Sequence, residues 1–250
     1  MIYLFFIVGL FFGSFFAVVG DRWSNDQSII KPGSHCYNCK KQLSWYELIP
    51  VFSYLFSKGR CRSCGDKLSI FYPITELLTG ILFAFSYYVC GFTPQLIIGL
   101  ALSAFLIITI VSDFKYMVIL DIPLMVTISI VLLTTLITIG FKDFILAILY
   151  GVIMFGFLFG VKFLGDKKFK RESLGGGDVK VMFLFGCTLG LQMSFICLVI
   201  SSLLTYPFAL YCVAKKKELE IPFGPFLIGG LLISFLYYGQ ISGFVNGLFL

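Results

Sequence analysis

Two groups of residues in this chain carry chemistry by type and spacing. The first is a pair of C-x-x-C motifs, Cys36 with Cys39 and Cys61 with Cys64, separated by 21 residues. Four thiolates can close a tetrahedral shell around one zinc ion, and a block too small to bury much core gains from such a staple. Two disulfides are the alternative, but a cytoplasmic location, argued below, keeps thiols reduced. His35, the only histidine, adjoins Cys36 and reads as a solvent-facing neighbour instead of a fifth ligand.

The second group comprises the carboxylates bordering apolar stretches: Glu76, Asp113, Asp121 and Asp178. Ionisable side chains are costly there and are suspects for function. Asp113 closes one stretch in VSDFKY, and Asp178 opens another behind Gly175-Gly176-Gly177. Two carboxylates at one depth can share a proton and activate a water, as in aspartic proteases. Three glycines would let the backbone bend and an extended substrate approach, because no Cβ stands in the way. The other reading of Asp178 is a helix N-cap behind a flexible loop. Helix polarity would put the shared proton on Asp113, at a negative helix end, and leave Asp178, at a positive end, as the base. Glu76 suits the first turn of a helix, and Asp121, just before Ile122-Pro123, suits a cap.

The elements that must position these residues are membrane helices. Hydrophobic residues form 59% of the 250-residue chain and charged residues 13%, too little polar surface for a water-soluble globule. Apolar stretches of about 17 to 25 residues, long enough to cross hydrocarbon as helices, recur without the alternation of barrel strands. They predict an all-α polytopic protein with spans at Ile2–Val19, Pro73–Cys90, Leu96–Ser112, Ile122–Ile139, Phe144–Leu164, two within Val179–Ala214 turning near Gly190-Leu191-Gln192, and Phe226–Leu250. That is eight helices. The organisation is then a first span (1–20), a cysteine domain (21–72) and a membrane domain (73–250). No repeat of fixed period stands out. Cys90, Cys187, Cys197 and Cys212 fall inside spans and read as small packing residues.

The formal charge of +6 calls for no nucleic acid partner. If the cysteine domain is cytoplasmic, alternate loops place all of the 19 Lys and Arg on that side except Lys142, as the positive-inside rule demands. Both termini are then extracytoplasmic. The first span, with no basic residue before it and Arg22 just after, reads as an uncleaved anchor.

Six stretches in order give a resemblance. GSFFAVV (Gly13–Val19), the Cys36–Cys64 block around LSWYELIPVFSYL, YPITELLTG (Tyr72–Gly80), Asp113, GGGDVK (Gly175–Lys180) and IPFGPFL (Ile221–Leu227) together resemble the type IV prepilin peptidases, bacterial membrane aspartic proteases with a Gly-x-Gly-Asp motif. Departures from the family pattern are Ala17 in place of a common asparagine, the Asp21-Arg22-Trp23 exit from the first helix, Tyr37-Asn38 without the usual proline, and Leu120 where a proline usually precedes Asp121.

The resemblance implies a bifunctional enzyme of the bacterial cytoplasmic membrane. Such enzymes cut the basic leader from type IV prepilins and pseudopilins after a glycine at the cytoplasmic face, then methylate the new N-terminus with S-adenosylmethionine. It places the two catalytic aspartates at Asp113 and Asp178, and makes Gly175, Gly176 and Gly177 the approach to them. A peptidase without methyl transfer stays open. So does a cation-coupled transporter, whose acids would sit near the midplane of the bilayer, and a zinc-ribbon membrane scaffold, which would leave the paired acids without a task. No residues stand out as holders of the methyl donor.

Overall fold

The protein is described from a computed structural model covering residues 1–170, 172–214 and 221–248. Among these residues it is helical without strands. In chain order come α1 (Ile2–Trp23), a cysteine-bearing block containing a 3-10 turn (Trp45–Leu48) and the short α2 (Phe52–Phe56), then α3 (Phe71–Cys90), α4 (Pro94–Tyr116), α5 (Asp121–Thr138), α6 (Phe141–Phe169), α7 (Gly176–Ala214), α8 (Gly224–Leu236) and α9 (Tyr238–Leu248).

Among the described residues, six helices are long and apolar enough to span a membrane, and a seventh span exists if the bent pair α8–α9 counts as one. The helices overrun the apolar stretches that announce them. α4 continues past Ser112 to Tyr116, and α6 past Leu164 to Phe169, each closed by a residue in the left-handed region, Met117 (φ 55°) and Lys170 (φ 51°). Hydropathy marks only the part inside hydrocarbon, whereas backbone hydrogen bonding carries a helix to its cap.

Gly190 breaks α7, with φ 73° and ψ 179°. Such a φ is easily adopted by glycine alone. The chain reverses there: on the near arm Phe183 and Cys187 lie against Gly151 of α6, whereas on the far arm Phe195 meets Phe157, two turns further along α6. The far arm ends with Phe208 edge-on to Phe114, beside Asp113. The turn expected near Gly190 is therefore present. The final stretch departs from a straight helix: it bends by 83° between α8 and α9. Its last two positions, 249 and 250, lie outside the described residues.

The centre of the bundle is built by α4, α7 and α8, where Leu102, Phe105, Met182, Phe185, Leu227 and Leu231 are at most 1% exposed. Close helix contacts use small residues. A Cβ on Gly9 of α1 would come within 2.7 Å of Gly80 Cα in α3, and one on Gly186 would enter the Tyr150 backbone of α6. Backbones that approach this closely gain dispersion contacts, the main force between helices surrounded by lipid.

Candidate active site and metal centre

The cysteine block hangs between α1 and α3. Its two C-x-x-C motifs fold identically. Cys36 N–H donates to Lys41 O and Lys40 N–H to Cys36 O; twenty-five residues on, Cys61 N–H donates to Asp66 O and Gly65 N–H to Cys61 O. The flanking pairs His35–Gln42 and Arg60–Lys67 repeat the same offset. This is a duplication missed in the sequence, where CYNCKKQLS and CRSCGDKLS share spacing at only four positions.

The four sulfurs lie within 4.8 Å of one another. Cys36 and Cys64 sulfurs are 3.8 Å apart, and those of Cys39 and Cys61 4.0 Å. A tetrahedral zinc shell with Zn–S near 2.3 Å requires sulfurs about 3.8 Å apart. The set fits a structural metal. His35 is outside it; half-buried instead of solvent-facing, its Nδ1 sits 2.9 Å from Gly33 O.

The Cys64 and Ser63 N–H groups draw the Cys61 thiol down to about 6. The Asp66 N–H draws Cys64 down as well, but desolvation and the other thiols outweigh it and push Cys64 up to about 12. Of the remaining cysteines, Cys187, Cys197 and Cys212 are buried and Cys90 is half-buried, as packing residues should be.

The block is tied to the bundle at two carboxylates. Asp21, at the end of α1, accepts hydrogen bonds at 2.8 Å from Lys115 Nζ, Tyr116 OH and Tyr37 OH. Burial, then the Asp21 carboxylate, raises the Tyr37 phenol above its ordinary pKa and keeps it a donor. One acid thus joins α1, α4 and Tyr37, which lies between Cys36 and Cys39. Glu76, expected in a first turn, lies deeper in α3, is 7% exposed, and accepts the Val51 N–H at 2.7 Å. Val51 is a β-branched residue at φ 62°, a conformation that persists only when neighbours enforce it.

Asp21→Ala would leave Lys115 and two phenols without their acceptor. We expect a loss of about 2 kcal/mol, the worth of hydrogen bonds to a charged group, seen as a lowered melting temperature of the purified protein. Asp21→Asn, which keeps an acceptor for the phenols, should lose less.

Asp113 and Asp178 meet at this same end of the bundle. Asp113, 6% exposed, lies in the last turns of α4, and its Oδ2 accepts the N–H of Gly224, the first residue of α8, at 3.0 Å. Asp178 sits in the first turn of α7 and is not its cap; its carboxylate folds back toward Gly175. The two acids lie within electrostatic range, with Lys162 nearby. Ile119 bridges them, packing against Gly177 beside Asp178 and against Gly224 beside Asp113.

The three glycines differ. A Cβ on Gly175 would stand 3.0 Å from the Asp178 carboxylate and one on Gly177 2.9 Å from Ile119, whereas one on Gly176 would meet nothing. None has a left-handed φ, so close approach and not backbone freedom is what requires Gly175 and Gly177. Helix polarity no longer separates the two acids either, because Asp113 faces the N-terminal end of α8 just as Asp178 lies at that of α7.

Asp121 departs from its expected role. It is the first residue of α5, makes no cap hydrogen bond, and pairs with Lys180 at 2.7 Å. Sequence reasoning also missed what holds the glycine loop. Lys162 Nζ donates to Leu174 O, while Asp166 accepts both the N–H and the hydroxyl of Ser173. A lysine with an acid four residues on, at the end of an apolar helix, was the available signal.

Comparison with known proteins finds two family models in order along the chain. The Bacterial Peptidase A24 N-terminal domain matches residues 7–90 and the Type IV leader peptidase family residues 100–210. The chain is 33% identical over 250 residues to the prepilin leader peptidase/N-methyltransferase of Bacillus subtilis, covering 98% of this chain and 97% of that protein. It is 31% identical to the protein of that name from Neisseria gonorrhoeae, covering 85% and 74%, and 29% identical to that from Vibrio cholerae, covering 93% and 95%. No solved structure matches. With both family domains present in order and a relative aligned over nearly the whole length, the chain belongs to the type IV leader peptidase family, and it is an enzyme.

Proposed function

We propose that the chain removes the leader peptide from type IV prepilins or pseudopilins, with Asp113 and Asp178 as an acid–base pair, and methylates the N-terminus so formed. The observation that carries this reading is the meeting of the two aspartates across Ile119 and Gly224 at the block end of the bundle. In the peptidase step the ionised aspartate takes a proton from water as its oxygen attacks the scissile carbonyl carbon, and the protonated aspartate gives its proton to the carbonyl oxygen. Collapse of the tetrahedral intermediate breaks the C–N bond and delivers a proton to the leaving amine. Gly176, beside which there is open space, leaves room for an extended peptide to approach. A transporter would hold its acids at mid-bilayer; these lie at helix ends.

The charge distribution over loops supports a cytoplasmic site in the bacterial plasma membrane. The reversal at Gly190 supports eight spans, since a straight helix of 39 residues would run about 58 Å, twice the hydrocarbon thickness. Zinc suits the four thiolates by its preference for tetrahedral sulfur. S-adenosylmethionine supplies an electrophilic methyl carried on a sulfonium; the chain must hold that cation and exclude water from it.

The test is to incubate the purified protein in lipid with a synthetic prepilin peptide, with and without S-adenosylmethionine, and to read product masses. We expect leader loss in both and the added mass of one methyl group only with the donor. Cleavage that never gains the methyl selects a peptidase alone; no cleavage overturns the reading.

A further inference from the structure

The cysteine block reaches past the end of the bundle and down its side. Val51 N–H donates to the Glu76 carboxylate. Glu76 in turn lies against α1, where a Cβ built on Gly13 would stand 2.8 Å from Glu76 Cα. Gly13 precedes Asp21, the other tie between block and bundle, by eight residues, which is about 12 Å along a helix. The chain that enters α2 therefore runs beside α1 and α3 within their apolar lengths, deeper than the Asp21–Lys115 pair.

Backbone at such a depth must find its partners within the protein. Val51 N–H has Glu76, Phe52 N–H has Pro50 O and Ser53 N–H has Ile49 O. A carboxylate inside the apolar length of α3 is thereby accounted for, since it receives the donor that the turn into α2 leaves over.

The two sides of α2 differ. Ser53 and Tyr54, with the capping Ser57, border a cavity of about 400 Å³ between the block and the ends of α1 and α3. Phe52, Leu55 and Phe56 stand at i, i+3 and i+4 on the opposite side, 54%, 63% and 78% exposed. Ile74 and Leu77, which flank Glu76 on α3, are exposed at the same level and belong to the apolar belt of that span. The only Lys, Arg, Asp or Glu from 48 to 65 are Lys58, Arg60 and Arg62, all exposed and all just after α2. Basic residues following an apolar face at a membrane edge suit lipid phosphates.

We propose that α2 is a re-entrant wedge whose Phe52, Leu55 and Phe56 insert among the lipid chains of the leaflet at the block end of the bundle. The occupant is lipid, because the face lies at the depth of the α3 belt and turns away from the polar cavity. Lipid contact then holds the block against the bundle at a third point, besides Asp21 and Glu76, and α2 separates the cavity from the bilayer.

Hydroxyl-radical footprinting of the metal-loaded wild-type chain in lipid nanodiscs, read residue by residue by mass spectrometry, tests this without a variant. We expect Phe52, Leu55 and Phe56 to stay as unlabelled as Phe155 and Phe159 in the middle of α6, while exposed Tyr37 of the first cysteine turn is labelled. Labelling of the three at the level of Tyr37 overturns the proposal. Protection that appears only when a prepilin peptide is added assigns the face to the substrate and overturns it as well. A second arm separates lipid from another copy of this chain. With Phe56→Trp as the sole tryptophan, after Trp23→Phe and Trp45→Phe, emission should be largely lost when the nanodisc lipids carry bromine on their acyl chains. Leu55→Trp in the same background repeats the reading at a second position, and a wild-type melting temperature shows that each variant is folded. Residues protected from radicals but unquenched by brominated chains would be covered by protein, which also overturns the assignment.

Discussion

Asp113→Asn and Asp178→Asn should each lower leader cleavage by about 10³-fold or more, the range of a lost acid–base group acting directly on the reacting bond. Asparagine is nearly isosteric, and its carbonyl can still accept the Gly224 N–H that now meets Asp113, so both variants should keep the wild-type melting temperature. What an amide cannot do is pass a proton back and forth. Asp121→Asn is the matched control, because Asp121 is also an aspartate at a helix end of the same face. It stands to lose an exposed ion pair with Lys180, worth about 0.2–1 kcal/mol, and cleavage should stay close to wild type. The measurement is the initial rate on a synthetic prepilin peptide at equal amounts of folded protein. Normal cleavage by Asp178→Asn together with a dead Asp121→Asn would show that Asp113 works with a different acid.

Removing the metal should unfold the cysteine block while the helices persist. In small zinc domains metal binding contributes about 10–16 kcal/mol of apparent free energy, which is folding energy because no site exists in the unfolded chain. The block has little else: its helical content is one 3-10 turn and one five-residue helix. We expect Cys61→Ser, or chelation of wild type, to strip amide hydrogen-exchange protection from residues 34–44 and 59–69 and to leave α4 and α7 protected. Protection that survives complete metal removal would show that the block folds without a metal. Acid should act in the same direction. Cys64, held up at about 12, must shed a proton to become a ligand, whereas Cys61, held down at about 6, is already a thiolate at neutral pH. Affinity is therefore greatest at high pH and falls as the pH drops, more steeply below about 6 where Cys61 is protonated as well. Metal content measured after dialysis across that range tests the sign.

Both effects depend on a division between local and distant determinants that runs through the whole molecule. The apolar stretches announced helices because crossing hydrocarbon demands an uninterrupted apolar length, and each stretch carries that property by itself. Gly190 announced a turn for a similarly local reason, since it adopts a left-handed φ that other residues avoid. The bend between α8 and α9 escaped notice because hydropathy records length and not direction. The cysteine spacing was legible because each C-x-x-C pair is a closed local turn that presents two sulfurs together.

What joins those pieces was not legible. Asp113 receives its hydrogen bond from Gly224, 111 residues away, and Asp21 receives Lys115 from 94 residues away. Ile119 stands between two glycines that nothing in its own neighbourhood relates to it, and Glu76 restrains a valine of the preceding block instead of completing its own helix. Composition, local pattern and ligand spacing thus determined that this chain is a helical membrane protein with a four-cysteine cluster and acids at its helix ends. Only the packing of helices, which brings distant small residues together closely enough for one backbone N–H to reach another helix's carboxylate, decided which acids share a site and what surrounds them.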